Sequence, residues 1–242
     1  MRFLVIILAL IAGRPATAAC SNLSFQGAFY SVCEAKADDD IRLFLNGPTG
    51  TYGGFTAVDA ELTKNGEKLA FAMNAGMFHS DLSPVGLYIE NGKKLASLVT
   101  SDGPGNFGLL PNGVFCIGQR FSVIESRRFA QEQPACRFAT QSGPMLVIGG
   151  SLHPAFRPTS DSLNIRNGVG VSGDGRTAWF VISNGTVNFD SFARLFRDRL
   201  GSQDALFFDG SVSRLYAPEI DRSGTGFDVG PIVGFVVKKA EE

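Results

Sequence analysis

The chain has 242 residues, a formal net charge of −1 and four cysteines. No run of basic residues marks a nucleic-acid surface, so nucleic acid is not an expected partner. Beyond the N-terminus no segment is long and apolar enough to span a bilayer, so no integral membrane span is expected.

The first element is a leader. Met1-Arg2 precedes an apolar run from Phe3 to Ala12, and Ala16-Thr17-Ala18 has the small-residue pattern of a cleavage site. We read residues 1–19 as a signal peptide and residues 20–242 as a single domain. Without Arg2 and Arg14 the net charge comes to −3. Export to the periplasm or the medium follows, with lipid anchoring at Cys20 as the minor alternative. An even cysteine count in an exported chain points to two disulfides. Of three possible pairings, Cys20–Cys33 and Cys116–Cys136 are favoured, since each closes a short segment. No C-x-x-C spacing is present, and no metal or cofactor is expected.

Phe25 to Val32 and Ile41 to Leu45 read as strands on either side of the polar turn Lys36–Asp40. The triplet Asp38-Asp39-Asp40 reads as a solvated turn. A short helix is expected over Thr56 to Lys64, with Gly66 beyond its end. The apolar strand Leu69–Met73 follows and stops at Asn74, then Gly76, then a polar turn with His79 and Asp81. Three hairpins come next: Val85–Glu90 with Lys94–Val99 about Asn91-Gly92, Gly113–Ile117 with Arg120–Ile124, and Asn167–Val171 with Thr177–Ser183. Met145–Ile148 reads as a strand and His153–Ser162 as a surface loop. Phe192, Leu195, Phe196 and Leu200 are helix-spaced, with Asp190 as the expected cap. Ala205–Phe208 is a short apolar strand ending at Asp209-Gly210-Ser211, and Gly230–Val237 closes the chain. The fold class read from this order is α+β: a mixed, largely antiparallel sheet, few helices and one C-terminal strand–helix–strand crossover.

Several polar residues sit where strands end. Asp209 follows four apolar residues; a carboxyl buried there is either hydrogen-bonded or shifted upward in pKa. Its plainer reading is a turn satisfied by the next amides. Arg166 precedes a hairpin strand and offers a fork suited to phosphate; its plainer reading is a surface arginine. Asn74 is a strand-end amide with a polar head for sugar or phosphate. His79 is the histidine nearest this group. Ser142 lies in a tight turn before Pro144, without the G-x-S-x-G pattern of an esterase nucleophile.

Asn74-Ala-Gly76-Met-Phe, Pro111-Asn112-Gly-Val-Phe, Gln141-Ser142-Gly-Pro, Arg166 with Gly168 and Gly170, and Leu206-Phe-Phe-Asp209-Gly210-Ser211 stand in an order that resembles the phosphodiester glycosidase domain. The resemblance covers residues 40 to 237. In that family, lysosomal members remove N-acetylglucosamine from a GlcNAc-1-phospho-mannose diester. The resemblance implies hydrolysis of a sugar-1-phosphodiester at the glycosidic carbon, and an anionic carbohydrate as partner. Asp209 would be nucleophile or base, Arg166 would hold the phosphate, and His79 would donate at the rim. Asn74, Gly76, Asn112, Ser142, Gly210 and Ser211 would contact substrate. One departure stands out: the family has a second glycine where this chain has Ser211. A non-catalytic glycan-binding or envelope-assembly protein of the same fold is the alternative, and an esterase built on Ser142 and His79 a third.

Overall fold

The computed structural model describes residues 19–239. The leader therefore lies outside the described residues, apart from Ala19. Three larger antiparallel sheets, a two-stranded one and a few short helices make up the fold, an α+β arrangement. A seven-stranded sheet runs in the spatial order Ala19–Phe25, Ala28–Lys36, Thr177–Ser183, Asn167–Val171, Asp204–Asp209, Met145–Ile148 and Ser151–Leu152. A five-stranded sheet is centred on Phe138–Ser142, flanked by Gly113–Ile117 and Tyr88–Glu90. A second five-stranded sheet places Glu67–Asn74 between Leu215–Ala217 and Ile232–Lys238.

Phenylalanines join the three sheets. Phe180 of the large sheet lies 5.2 Å, ring to ring, from Phe71 and 5.7 Å from Phe115. Phe115 also meets Phe208 edge-on at 6.4 Å. Offset and edge-to-face pairs of this kind add to the apolar burial that holds sheets together. On its other face the large sheet is covered by the helix Phe189–Arg194 and its continuation Leu195–Arg199. Phe192 and Phe196 pack there with Tyr30, Leu146 and Phe207.

Period-two patterning located most strands. The three expected hairpins form, and the helix Phe55–Thr63 lies within one residue of its expected position. Both favoured disulfides are present, Cys20–Cys33 and Cys116–Cys136. The Cys20 sulfur is thus paired with that of Cys33.

Other expectations change. The first strand breaks into a hairpin at Gln26-Gly27, where both residues have positive φ, 48° and 80°. A helix at Ser126–Glu132 was not read from the sequence. The last helix is capped by Asn188, whose side chain accepts from the Ser191 amide, while Asp190 pairs with Arg194 one turn on at 2.7 Å. His153 is buried, held by the Leu110 carbonyl at 3.1 Å, rather than opening a surface loop. Finally, Thr177–Ser183 and Asp204–Asp209 are not neighbours. The hairpin partner Asn167–Val171 lies between them and is antiparallel to both, so these two strands share no ladder.

Candidate active site

The strand Glu67–Asn74 carries Asn74 inward at the end of a run of buried residues, with none of its surface exposed. Its side-chain oxygen is held by one main-chain and one side-chain donor. Asn74 Oδ1 accepts from the Arg214 amide at 2.9 Å and from Asn167 Nδ2 at 2.9 Å. Asn167 in turn accepts the Asp209 amide at 3.0 Å on Oδ1, which fixes its Nδ2 as the donor toward Asn74. That same Nδ2 also donates to the Asn74 carbonyl at 2.9 Å. Two asparagines therefore stitch the end of one sheet to the end of another. Asn74 Nδ2 is left buried without a hydrogen-bond partner.

Asp209 ends its strand only 7% exposed. One carboxylate oxygen, Oδ1, accepts the amides of Gly210 at 2.6 Å and Ser211 at 2.8 Å. Burial raises its pKa above the ordinary aspartate value, and the amides of Ser211, Gly210 and Val212 pull the other way without cancelling it. Both sequence readings of this residue hold together: it initiates the turn, and it is a buried carboxylate with a raised pKa.

Arg166 is fully buried and is no surface arginine. Its Nε donates to the Val187 carbonyl at 2.9 Å and one terminal nitrogen to the Ser162 carbonyl at 2.8 Å. The guanidinium lies 3.6 Å over the centroid of Phe189 and 5.4 Å from that of Phe207. Among the described residues no carboxylate pairs with it, and Nη1 has no hydrogen-bond partner. Burial alone lowers its pKa to about 10, so it stays charged at neutral pH. A cation without a counter-charge is costly in the interior, and two aromatic faces offset only part of that cost.

Arg166 and Asn167 are adjacent and point to opposite faces of the large sheet. Arg166 lies on the helix side, Asn167 between the sheets. The two faces meet at the strand end. Arg166 Nη1 is 3.7 Å from where a side chain on Gly210 would begin. Asn74, Asp209, Arg166, Gly210 and the exposed Ser211 thus gather around one turn, with Asn167 at its centre. Asn167 was read only as a strand residue. The available signal was a polar side chain opening an otherwise apolar strand next to Arg166.

The remaining expected residues stand around this turn or away from it. Ser142 is buried beneath it, and its hydroxyl donates to the Phe208 carbonyl at 2.8 Å. Gly76 has φ +150°, and a Cβ there would lie 3.0 Å from Thr140 Oγ1, so a side chain would be strained by the backbone and tightly crowded. Asn112 packs against Gly143, with Nδ2 bound to the Phe107 carbonyl at 2.9 Å and Oδ1 unpartnered. His79 is exposed on the loop after Phe78, and its ring makes no hydrogen bond among the described residues.

The pattern of the NAGPA phosphodiester glycosidase family matches residues 67–233, a span that opens with the Asn74 strand and includes Arg166, Asn167 and Asp209. The chain belongs to the phosphodiester glycosidase family. A relative in Escherichia coli (strain K12), the protein YigE, is 36% identical over 178 residues, which is 73% of this chain and 69% of YigE. The fold is shared with the catalytic domain of zebrafish N-acetylglucosamine-1-phosphodiester alpha-N-acetylglucosaminidase. That likeness has a TM-score of 0.62 at 14% identity, over 90% of this chain and 81% of the other. A hypothetical protein from Synechocystis is similar at TM-score 0.61 and 16% identity, over 90% of this chain and 61% of its own. What this phosphodiester glycosidase domain acts on is a separate question, which the chemistry of its site addresses.

Proposed function

We propose that this phosphodiester glycosidase domain is an exported hydrolase that cleaves a sugar-1-phosphodiester at the glycosidic carbon. One observation carries the reading: two buried donors without partners, Arg166 Nη1 and Asn74 Nδ2, stand at the strand end that carries the buried Asp209, linked to it through Asn167 and its neighbour in sequence. A phosphodiester brings one negative charge and several acceptor oxygens, which is what an unpaired guanidinium and a free amide lack. Family membership supports the reaction type. The two disulfides fit the oxidising compartment that export implies.

In this reading the Arg166 guanidinium holds the phosphate and stabilises it as it departs. The C1–O bond breaks, its electron pair leaves on the phosphate monoester, and a water oxygen ends on C1. Asp209 acts as nucleophile or as base for that water. Its raised pKa brings it nearer the operating pH than an ordinary aspartate. Asn74 orients sugar or phosphate, and Gly76, Asn112, Ser142, Gly210 and Ser211 form the walls. His79 donates from the rim.

The test is to offer the mature protein UDP-GlcNAc and GlcNAc-1-phosphate diesters and follow sugar release. Release is expected from wild type and lost in Asp209→Asn and Arg166→Ala. Release that survives both substitutions refutes these roles. A second reading, glycan binding without turnover, is favoured by the engagement of Asp209 Oδ1 with two amides. It predicts binding of anionic glycan and no release across the panel.

A further inference from the structure

Beside the Asp209 turn lies a second feature that the reaction does not use. A cleft of about 240 Å³ opens on the inter-sheet face, lined by Ser213, Arg214, Asp221, Arg222, Ser223 and Thr225, with Ile182 also on its wall. It is continuous with the candidate site. Ser213 Oγ donates to the Asp209 carbonyl at 2.8 Å and lies 3.3 Å from Asn167 Oδ1. The Arg214 amide is the one bound to Asn74. The Arg214 guanidinium is spent on the carbonyls of Gly224 and Phe227, so it fastens the 224–227 loop over this side of the site. Arg222 is different. It is half-buried, and among the described residues it makes no side-chain hydrogen bond and no ion pair. Asp221 brings a carboxylate to the lining, while Asp228 packs toward Gly53.

The rim of the cleft is apolar. Five large apolar side chains are prominently exposed among the described residues. Three of them, Phe29 at 66%, Ile165 at 43% and Phe227 at 83%, belong here. The register shows why. Asn167 pairs with Ile182, and Ile182 with Ser31, so these three residues share the inter-sheet face. Two residues further toward the strand ends come Asn184 and Phe29, on the same face, while Ile165 lies beside the cleft at Ser213, whose hydroxyl donates to its carbonyl at 3.2 Å. The Asn184 amide donates to the Phe29 carbonyl at 2.8 Å, so these two are neighbours across the strands. Phe227 comes in from the Arg214-held loop. Exposed apolar groups clustered at a polar cleft mark a ligand surface more often than chance exposure does.

We propose that this cleft binds a phosphate ester whose alcohol is an apolar chain, with Arg222 and the hydroxyls taking the phosphate and Phe29, Ile165 and Phe227 taking the chain. A free phosphate would need the cation but not the rim, and a polar glycan would find few partners on Ile165. The proposal goes beyond the sugar-phosphodiester reading, since the phosphate in this cleft is held by Arg222 and is not the one assigned to Arg166. Its test does not depend on turnover.

The probes are decyl phosphate below its critical micelle concentration, inorganic phosphate and decanol, each titrated calorimetrically into the mature protein. Decyl phosphate is expected to bind at least tenfold more tightly than either of the others. Arg222→Gln should weaken it at least tenfold. The pair Ile165→Thr and Phe227→Ser should bring it down to the level of inorganic phosphate. These positions are exposed or half-buried, and near-ultraviolet circular dichroism confirms that the variants stay folded. Equal affinity for decyl phosphate and inorganic phosphate overturns the proposal. So does indifference to all three substitutions, or a self-association that the apolar substitutions abolish. A protein that binds decyl phosphate in this way yet hydrolyses no sugar phosphodiester keeps the cleft and loses the activity; the reverse outcome keeps the activity and loses the cleft.

Discussion

Asn167→Ala should be among the most damaging single truncations in the domain, although the residue touches no proposed reacting atom. Its side chain satisfies the Asp209 amide through Oδ1 and donates to both the carbonyl and the side-chain oxygen of Asn74. Truncation strands the buried Asp209 amide outright. Asn74 Oδ1 keeps the Arg214 amide, so its loss is partial. A buried group left without its partner costs about 1–3 kcal/mol. One full and two partial losses give a destabilisation of about 2–4 kcal/mol. For a domain of this size each kcal/mol lowers Tm by about 2–4 °C, so a fall of roughly 4–16 °C is expected. Asn167→Asp should be no better, because it sets a carboxylate against the two oxygens of Asn74. The assay is differential scanning calorimetry beside an exposed control, Asn46→Ala, which should stay within about 0.5 kcal/mol. A loss below that level for Asn167→Ala would refute the view that the two asparagines stitch the sheets at the site.

Three further outcomes follow from the same geometry. Gly76→Ala combines a φ of +150° with a close approach to Thr140 Oγ1 and should cost about 1–3 kcal/mol in chemical denaturation. Asp209 has a folded pKa raised by burial, so its contribution to stability is fully present below the ordinary aspartate value and is lost as pH rises through the folded one. Asp209→Asn removes that loss. It should be at least as stable as wild type at neutral pH while releasing no sugar, and a stability that falls further with pH in the variant than in wild type would contradict this. Replacing Cys116 and Cys136 together by Ser opens a link across 20 residues and should cost about 3 kcal/mol in thermal unfolding. A variant as stable as wild type would rule out a structural role for that disulfide.

Much of the fold was legible because local chemistry decided it. Asn91-Gly92 and Asp174-Gly175 mark their hairpins through turn preference, and the cysteine spacing pointed to the correct disulfides. The Gln26-Gly27 hairpin escaped because glutamine is not a usual left-handed residue; the disulfide from Cys20 to Cys33, directly across the hairpin, helps to hold it. The placement of Asn167–Val171 between the two strands of the expected crossover was hidden for another reason. Sequence order does not say which edge of a hairpin receives the next strand. At the site, strand ends advertised Asn74 and Asp209. The burial of Arg166 was not visible, since its cover is two aromatic rings, both from segments more than twenty residues downstream. Asn167 was hidden because its partners come from two other strands.

The central claim is that bond breaking occurs at the glycosidic carbon, with the phosphate held by Arg166 as it leaves. Hydrolysis of a GlcNAc-1-phosphate diester in ¹⁸O-water, with both products read by mass spectrometry, tests it most directly. The account predicts that wild type places the label in the anomeric hydroxyl of the released sugar and none in the phosphate. Label in the phosphate would mean attack at phosphorus and would contradict the account.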